Sequence, residues 1–179
     1  MIAEKEALRQ TPSLGVLVDR IGDICKESPA AVPELIRSAL RDAVTRGGLL
    51  TADQKHGQAA GYMRHLLHED PHGRFSVVSI VWSAGQFSPV HGHYTWCGYV
   101  VAEGRLQEEC YNWDSGQQQA VLTGTAVRDA GYASYSHAGL DAIHRFGNAG
   151  GPDAISVHVY GIDGERLATH VNRVVQAHN

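Results

Sequence analysis

The chain has little cysteine, no long apolar run and no basic cluster, and each absence excludes something. Its three cysteines, Cys25, Cys97 and Cys110, are an odd number without a CxxC spacing. That argues against a disulfide framework and against a zinc knuckle, and leaves at least one thiol for chemistry or for burial. No apolar stretch approaches the roughly 18–20 residues that span a bilayer, so no membrane helix is expected. The N-terminal MIAEKEALRQ lacks the apolar centre of a secretory signal, and the expected location is the cytoplasm. Fifteen Lys and Arg stand against 19 Asp and Glu, for a formal net charge of −4 with no basic patch. Nucleic acid is therefore not an expected partner, and a small molecule is. Internal repeats, low-complexity tracts and linkers are also missing, and no oligomeric state can be read from the chain.

What remains is an ordinary soluble composition, 43% hydrophobic and 19% charged, over 179 residues. That length fits one domain, 1–179, with one sizeable core. The part from 1 to 73 reads as mostly helical. SLGVLVDRIGDICKES places Leu14, Val16, Leu17, Ile21 and Ile24 at helical spacing behind the start signal Thr11-Pro12-Ser13. PELIRSALRDAV repeats the pattern with Leu35, Ile36, Leu40 and Val44, and Gly47-Gly48 makes a stop. A third short helical piece is expected in GQAAGYMRHLLHED, ending at Pro71.

From 74 to 179 the texture is β. FSVVSIVWSAG, GYVVAEGRLQEECYNW, GTAVRDAGYASYS, IHRFGNAG, AISVHVYG and LATHVNRVV are short runs separated by Gly, Asp, Asn and Ser. Strands in series without helices between them predict a mainly β fold, a jelly-roll barrel whose inward-facing side chains can line a ligand or metal site.

Histidine, with 11 residues, is the abundance that stands out, although His65, His68 and His72 fall in a polar segment. Within PVHGHYTWCGYVVAEG, His91 and His93 lie two apart. On a strand both rings point the same way and can converge on one metal; in a loop both face water. In AISVHVYG, Ser156, His158 and Tyr160 alternate with Ile155, Val157 and Val159. This describes either a polar face turned to solvent or a row of polar groups lining a site.

The segment from Gly85 to Gly104, G-x5-H-x-H-x3-C-x6-G, resembles the first signature of the cupin superfamily, with Cys97 where many cupins have glutamate. IHRFGN resembles the end of the second signature, which makes His144 the third metal ligand beside His91 and His93, with Asn148 four residues on; His137 is the alternative ligand. A neutral three-histidine face leaves a metal at +2 and favours an anion from the substrate, such as a thiolate. Ser156-x-His158-x-Tyr160 is similar to the triad beside the iron in the cysteine dioxygenase family of thiol dioxygenases. With GYMRHLL, the resemblance runs from about Tyr62 to Tyr160.

The resemblance implies a cupin barrel with an N-terminal helical segment and a mononuclear non-haem Fe(2+). It implies a carboxylate-binding pair, Tyr62 and Arg64, and a hydrogen-bond relay through Ser156 and His158 that aligns the Tyr160 hydroxyl. The implied activity is conversion of L-cysteine and O2 to cysteine sulfinic acid. An arginine at position 64 resembles the bacterial cysteine type, since its planar fork holds a carboxylate in a way glutamine cannot. The alternatives are 3-mercaptopropionate or mercaptosuccinate as substrate, and a non-catalytic metal-binding cupin. A zinc hydrolase would need a carboxylate base near the histidines, and Glu103 is poorly placed for that. Two departures from the family stand out: Gly92 replaces a common aspartate, and Cys97-Gly98 leaves open which residue faces Tyr160. Cys97 would either form a thioether crosslink with Tyr160 or pack as a small hydrophobe.

Overall fold

The computed structural model describes residues 11–178; the N-terminal decapeptide that was read for a secretory signal lies outside them. Helix α1 (Pro12–Ile24) begins where the sequence places it: Thr11 caps it, its hydroxyl accepting from Leu14 N at 3.1 Å, and Pro12 fills the first turn. Leu14, Leu17, Ile21 and Ile24 are buried, whereas Val16 points outward and is 48% exposed. Helix α2 (Val32–Arg46) buries Ile36, Ala39, Leu40 and Ala43 and stops at Gly47, whose φ of 74° is left-handed and costs glycine nothing.

The third helical piece expected in 57–70 is instead a strand, β1 (Met63–Glu69). Its apolar residues Met63, Leu66 and Leu67 suit either period over so short a run. Pairing decides the outcome, because β1 lies antiparallel along β2 (Ser76–Trp82), with Arg64 opposite Ile80.

The remaining strands are β3 (His91–His93), β4 (Cys97–Glu103), β5 (Arg105–Asp114), β6 (Gln119–Asp129), β7 (Ala133–Ser136), β8 (Gly139–Gly147), β9 (Ala154–Tyr160), β10 (Asn172–Val174) and β11 (Ala177–His178). They form two sheets, one ordered β1-β2-β9-β4-β7 and one β10-β3-β8-β5-β6-β11. Apart from the parallel β11–β6 pair, neighbours run antiparallel. This is the mainly β jelly-roll of the cupin type, with the two helices against the outside of the five-stranded sheet. No described helix is long and apolar enough to cross a membrane.

That sheet is covered on both faces, and its strands sort their side chains accordingly. Val77, Val100, Val157 and Val159 pack outward with Leu14, Ile36 and Leu40 of the helices. Val78, Ile80, Trp82, Cys97, Tyr99 and Tyr160 pack inward with Phe146. All seven residues of β9 are buried, so its polar row does not face solvent. Gly98 takes the outward position, where a β-carbon would collide with Ile36 Cγ2. The helix seat thus explains the glycine, and alternation sends its neighbour Cys97 into the barrel.

Candidate metal centre and its cavity

On β3, His91 and His93 project to the same side, and across the β3–β8 pair His91 is the register partner of His144. The three rings lie 4.7–5.2 Å apart by centroid, and one nitrogen of each falls within 4.8 Å of the others. All three residues are buried. Gly92 between them lies against the Gly139 carbonyl, where a β-carbon has no room. Close approach of β3 and β8 therefore demands glycine at this position.

The donor set fits a metal ion. His91 Nδ1 lies 2.9 Å from the Pro89 carbonyl, which only accepts, so that nitrogen carries the proton and Nε2 keeps its lone pair. His144 Nδ1 lies 2.8 Å from Glu108 Oε1 and is the donor by the same reasoning. His93 Nδ1 is buried with no partner among the described residues. Burial drives the pKa of His91 down to about 3 and that of His93 to about 2, so both are neutral at physiological pH and each can offer a nitrogen lone pair. Burial alone would raise the Glu108 carboxyl, but hydrogen bonds from His144 and Arg128 hold it down at about 2, and it is an anion.

These rings open onto a small cavity that the facing sheet also lines. On β9, Ser156 Oγ lies 2.8 Å from His158 Nε2, and His158 Nδ1 lies 3.2 Å from Tyr160 Oη. Trp82 Nε1 donates to Ser156 Oγ at 2.9 Å. The direction of this chain follows from its members' donor inventory. The indole only donates, and among the described residues Ser156 meets no acceptor other than His158, so its hydroxyl hydrogen goes to His158 Nε2. His158 Nδ1–H then donates to Tyr160 Oη, and the phenol's own hydrogen is left for the cavity. Burial keeps His158 well below the usual histidine range and Tyr160 well above the usual tyrosine range, so both are neutral.

Arg64, exposed at the rim, places Nη2 3.3 Å from Tyr62 Oη. Among the described residues its guanidinium meets no carboxylate. Tyr62 in turn lies 4.6 Å from the Trp82 ring. Cys97 pairs with Tyr160 in register, lines the cavity and puts Sγ 3.9 Å from His158 Nδ1; burial raises its thiol far above the ordinary value. His137 lies elsewhere, beside Tyr135 in an outer groove. His65, His68 and His72 stay outside the metal cluster, and Glu103 pairs with Lys55.

Sequence reasoning missed Trp82, Glu108 and Asn172. Each reaches the site from its own strand, without a motif. Only the parity of Trp82 with Val78 and Ile80 along β2 marks it as inward-facing, and parity is unknown until the strand has partners.

Several solved structures resemble part of the chain at low identity. TT1209 from Thermus thermophilus is 17% identical with a TM-score of 0.49, over 62% of this chain and 91% of that one. A conserved protein with a double-stranded β-helix domain from Klebsiella pneumoniae subsp. pneumoniae is 20% identical, TM-score 0.47, over 66% and 92%. An oxalate oxidase in complex with the substrate analogue glycolate is 15% identical, TM-score 0.47, over 63% of this chain, which spans 59% of that one. Residues 54–163 match the family model described as cysteine dioxygenase type I. That stretch is more than half of the chain and contains Tyr62, Arg64, the three clustered histidines and the whole Ser156–His158–Tyr160 row, and the protein belongs to the cysteine dioxygenase type I family.

Proposed function

We propose that the protein is an iron-dependent thiol dioxygenase of the arginine-bearing cysteine type, converting L-cysteine and O2 to cysteine sulfinic acid. The observation that carries this reading is a convergence. A buried three-histidine cluster, an arginine that meets no carboxylate among the described residues and a tyrosine hydroxyl that accepts from His158 all line one small cavity.

His91, His93 and His144 would hold Fe(2+), which when bound supplies the redox chemistry joining sulfur to dioxygen. Arg64, steadied by Tyr62, receives the substrate carboxylate through paired charge-assisted hydrogen bonds and so aims the thiol at the histidines. Tyr160 donates to the reacting atoms, while His158, Ser156 and Trp82 keep its hydrogen pointed at them. Apolar walls from Ile80 and Phe146 exclude water. The overall change is RSH + O2 → RSO2H, with both oxygen atoms retained on sulfur.

Cys97, turned inward beside Tyr160, suits a thioether between its sulfur and the phenol ring. Forming that C–S bond breaks the S–H and a ring C–H bond and passes two protons and two electrons to O2, giving H2O2, so the intact protein becomes lighter by about two mass units after turnover. Cys97→Ser abolishes the change. An unchanged mass at full activity leaves Cys97 as packing.

A second reading, mercaptosuccinate as substrate, draws on Asn172. Its carboxamide lines the cavity with no partner among the described residues, and it can accept from a cysteine amine or donate to a second carboxylate. Oxygen uptake by the iron-loaded protein with cysteine, 3-mercaptopropionate and mercaptosuccinate separates these substrates. With 18O2, both label atoms must appear in the sulfinate; a disulfide product without label would reject the reaction.

A further inference from the structure

The three histidines are not equivalent. His91 donates Nδ1–H to a neutral backbone carbonyl, and His93 Nδ1 has no partner among the described residues. His144 alone meets a carboxylate, Glu108, whose other oxygen lies 2.7 Å from Arg128 Nε. These groups run diagonally across consecutive strands. Arg128 on β6 stands opposite Leu106, and Glu108 two residues further along β5 stands opposite Phe146 on β8. His144 is one step past Phe146 on the same face and opposite His91 on β3. Diagonal neighbours on one sheet face lie within reach of long side chains.

Glu108 is 6% exposed, and nothing in the relay or the substrate pocket uses it. A buried carboxylate is costly unless it is paired and hydrogen-bonded, and this one is tied at both oxygens. Arg128 is held in turn, its guanidinium lying 4.1 Å from the centre of the Tyr132 ring.

Resting on the assignment of the metal to the histidine cluster, we propose that Glu108, clamped by Arg128, is a positioning residue that makes His144 the dominant metal ligand. It fixes the Nδ1–H tautomer, aims Nε2 at the ion and increases the ring's donor strength.

Cobalt(II) affinity of the metal-free protein, measured by chelator competition, tests this without turnover. Glu108→Gln keeps the side-chain volume and removes the charge, and its affinity should fall about 10–100-fold. In the zinc-loaded parent, the His144 Nδ1 proton should give a strongly downfield resonance that moves upfield in Glu108→Gln. Circular dichroism of each variant confirms that the barrel is kept, and Arg128→Lys, which retains a cation beside the carboxylate, should lose less affinity than Glu108→Gln. Affinity within twofold of the parent and an unmoved resonance would overturn the proposal. His144→Ala distinguishes this from failure of the metal assignment. If it loses cobalt while Glu108→Gln does not, Glu108 alone is misassigned; if it keeps cobalt, the cluster is not the metal site and the inference falls with it.

Discussion

The five-stranded and six-stranded sheets face each other across one cavity, yet they furnish it with different chemistry. The six-stranded sheet brings imidazoles from β3 and β8 into contact and backs one of them with a carboxylate on β5. The five-stranded sheet brings hydrogen-bond donors: Arg64 on β1, Trp82 on β2, and Ser156, His158 and Tyr160 on β9. The first collection suits a cation and the second an anionic substrate and a proton. The difference is tied to what covers each sheet. The donor sheet is seated against helices, so its polar row is sealed on both sides and must satisfy itself internally.

The largest effect that can break this division is removal of a histidine from the six-stranded sheet. His91→Ala should reduce turnover by about 10³-fold or more, since a metal's contribution amounts to several kcal/mol. An assay after full iron loading checks it.

Acid sensitivity of the metal-free protein sharpens the comparison next. His91, at about 3, His93, at about 2, and His158 are all depressed by burial, two on one sheet and one on the other. Above about pH 6.5 these histidines are neutral in both the folded and the unfolded chain. As pH falls below that, the unfolded chain takes up protons that the folded one refuses, so stability is lost at about 1.4 kcal/mol per pH unit per histidine. Urea unfolding between about pH 5.5 and 4.5, where the unfolded chain's histidines are nearly all protonated, should show this slope. Replacing both His91 and His93 by Gln should remove about twice as much of it as replacing His158.

A smaller loss is expected from the donor sheet. Tyr160→Phe should lower kcat about 10²-fold, the low end for a positioned proton donor, with no change in bound metal. Trp82→Phe, which removes the N–H that sets the relay's direction, should cost less than that. Steady-state kinetics beside metal analysis checks both.

Arg64→Ala should weaken carboxylated thiols by about 10–100-fold, from roughly 1.5–3 kcal/mol per charged hydrogen bond, and leave cysteamine nearly unaffected. Equal losses for the two kinds of thiol would place Arg64 outside substrate binding.

How much of this was legible depended on whether a residue's partner lay nearby in sequence. The capped start of α1, the Gly47 stop and the β character after residue 74 follow from local pattern, and so does the inward alternation of Ser156, His158 and Tyr160 once β9 is known to be buried. Met63–Glu69 was misread because seven residues carry too little periodicity to separate helix from strand. The register question at Cys97-Gly98 was settled by α2, remote in the chain, whose Ile36 admits only glycine at position 98. Glu108 and Trp82 were invisible for the same reason: each acts through a contact, with His144 at a separation of 36 and with Ser156 at a separation of 74, that only sheet pairing creates.

Iron per chain, measured in parallel on His91→Ala and on the Arg64→Ala/Tyr160→Phe double variant, tests the division of labour most directly. The account predicts that the first protein fails to retain iron while the second retains as much as the parent yet turns over poorly. Iron retained by His91→Ala, or lost from the folded double variant, would contradict it.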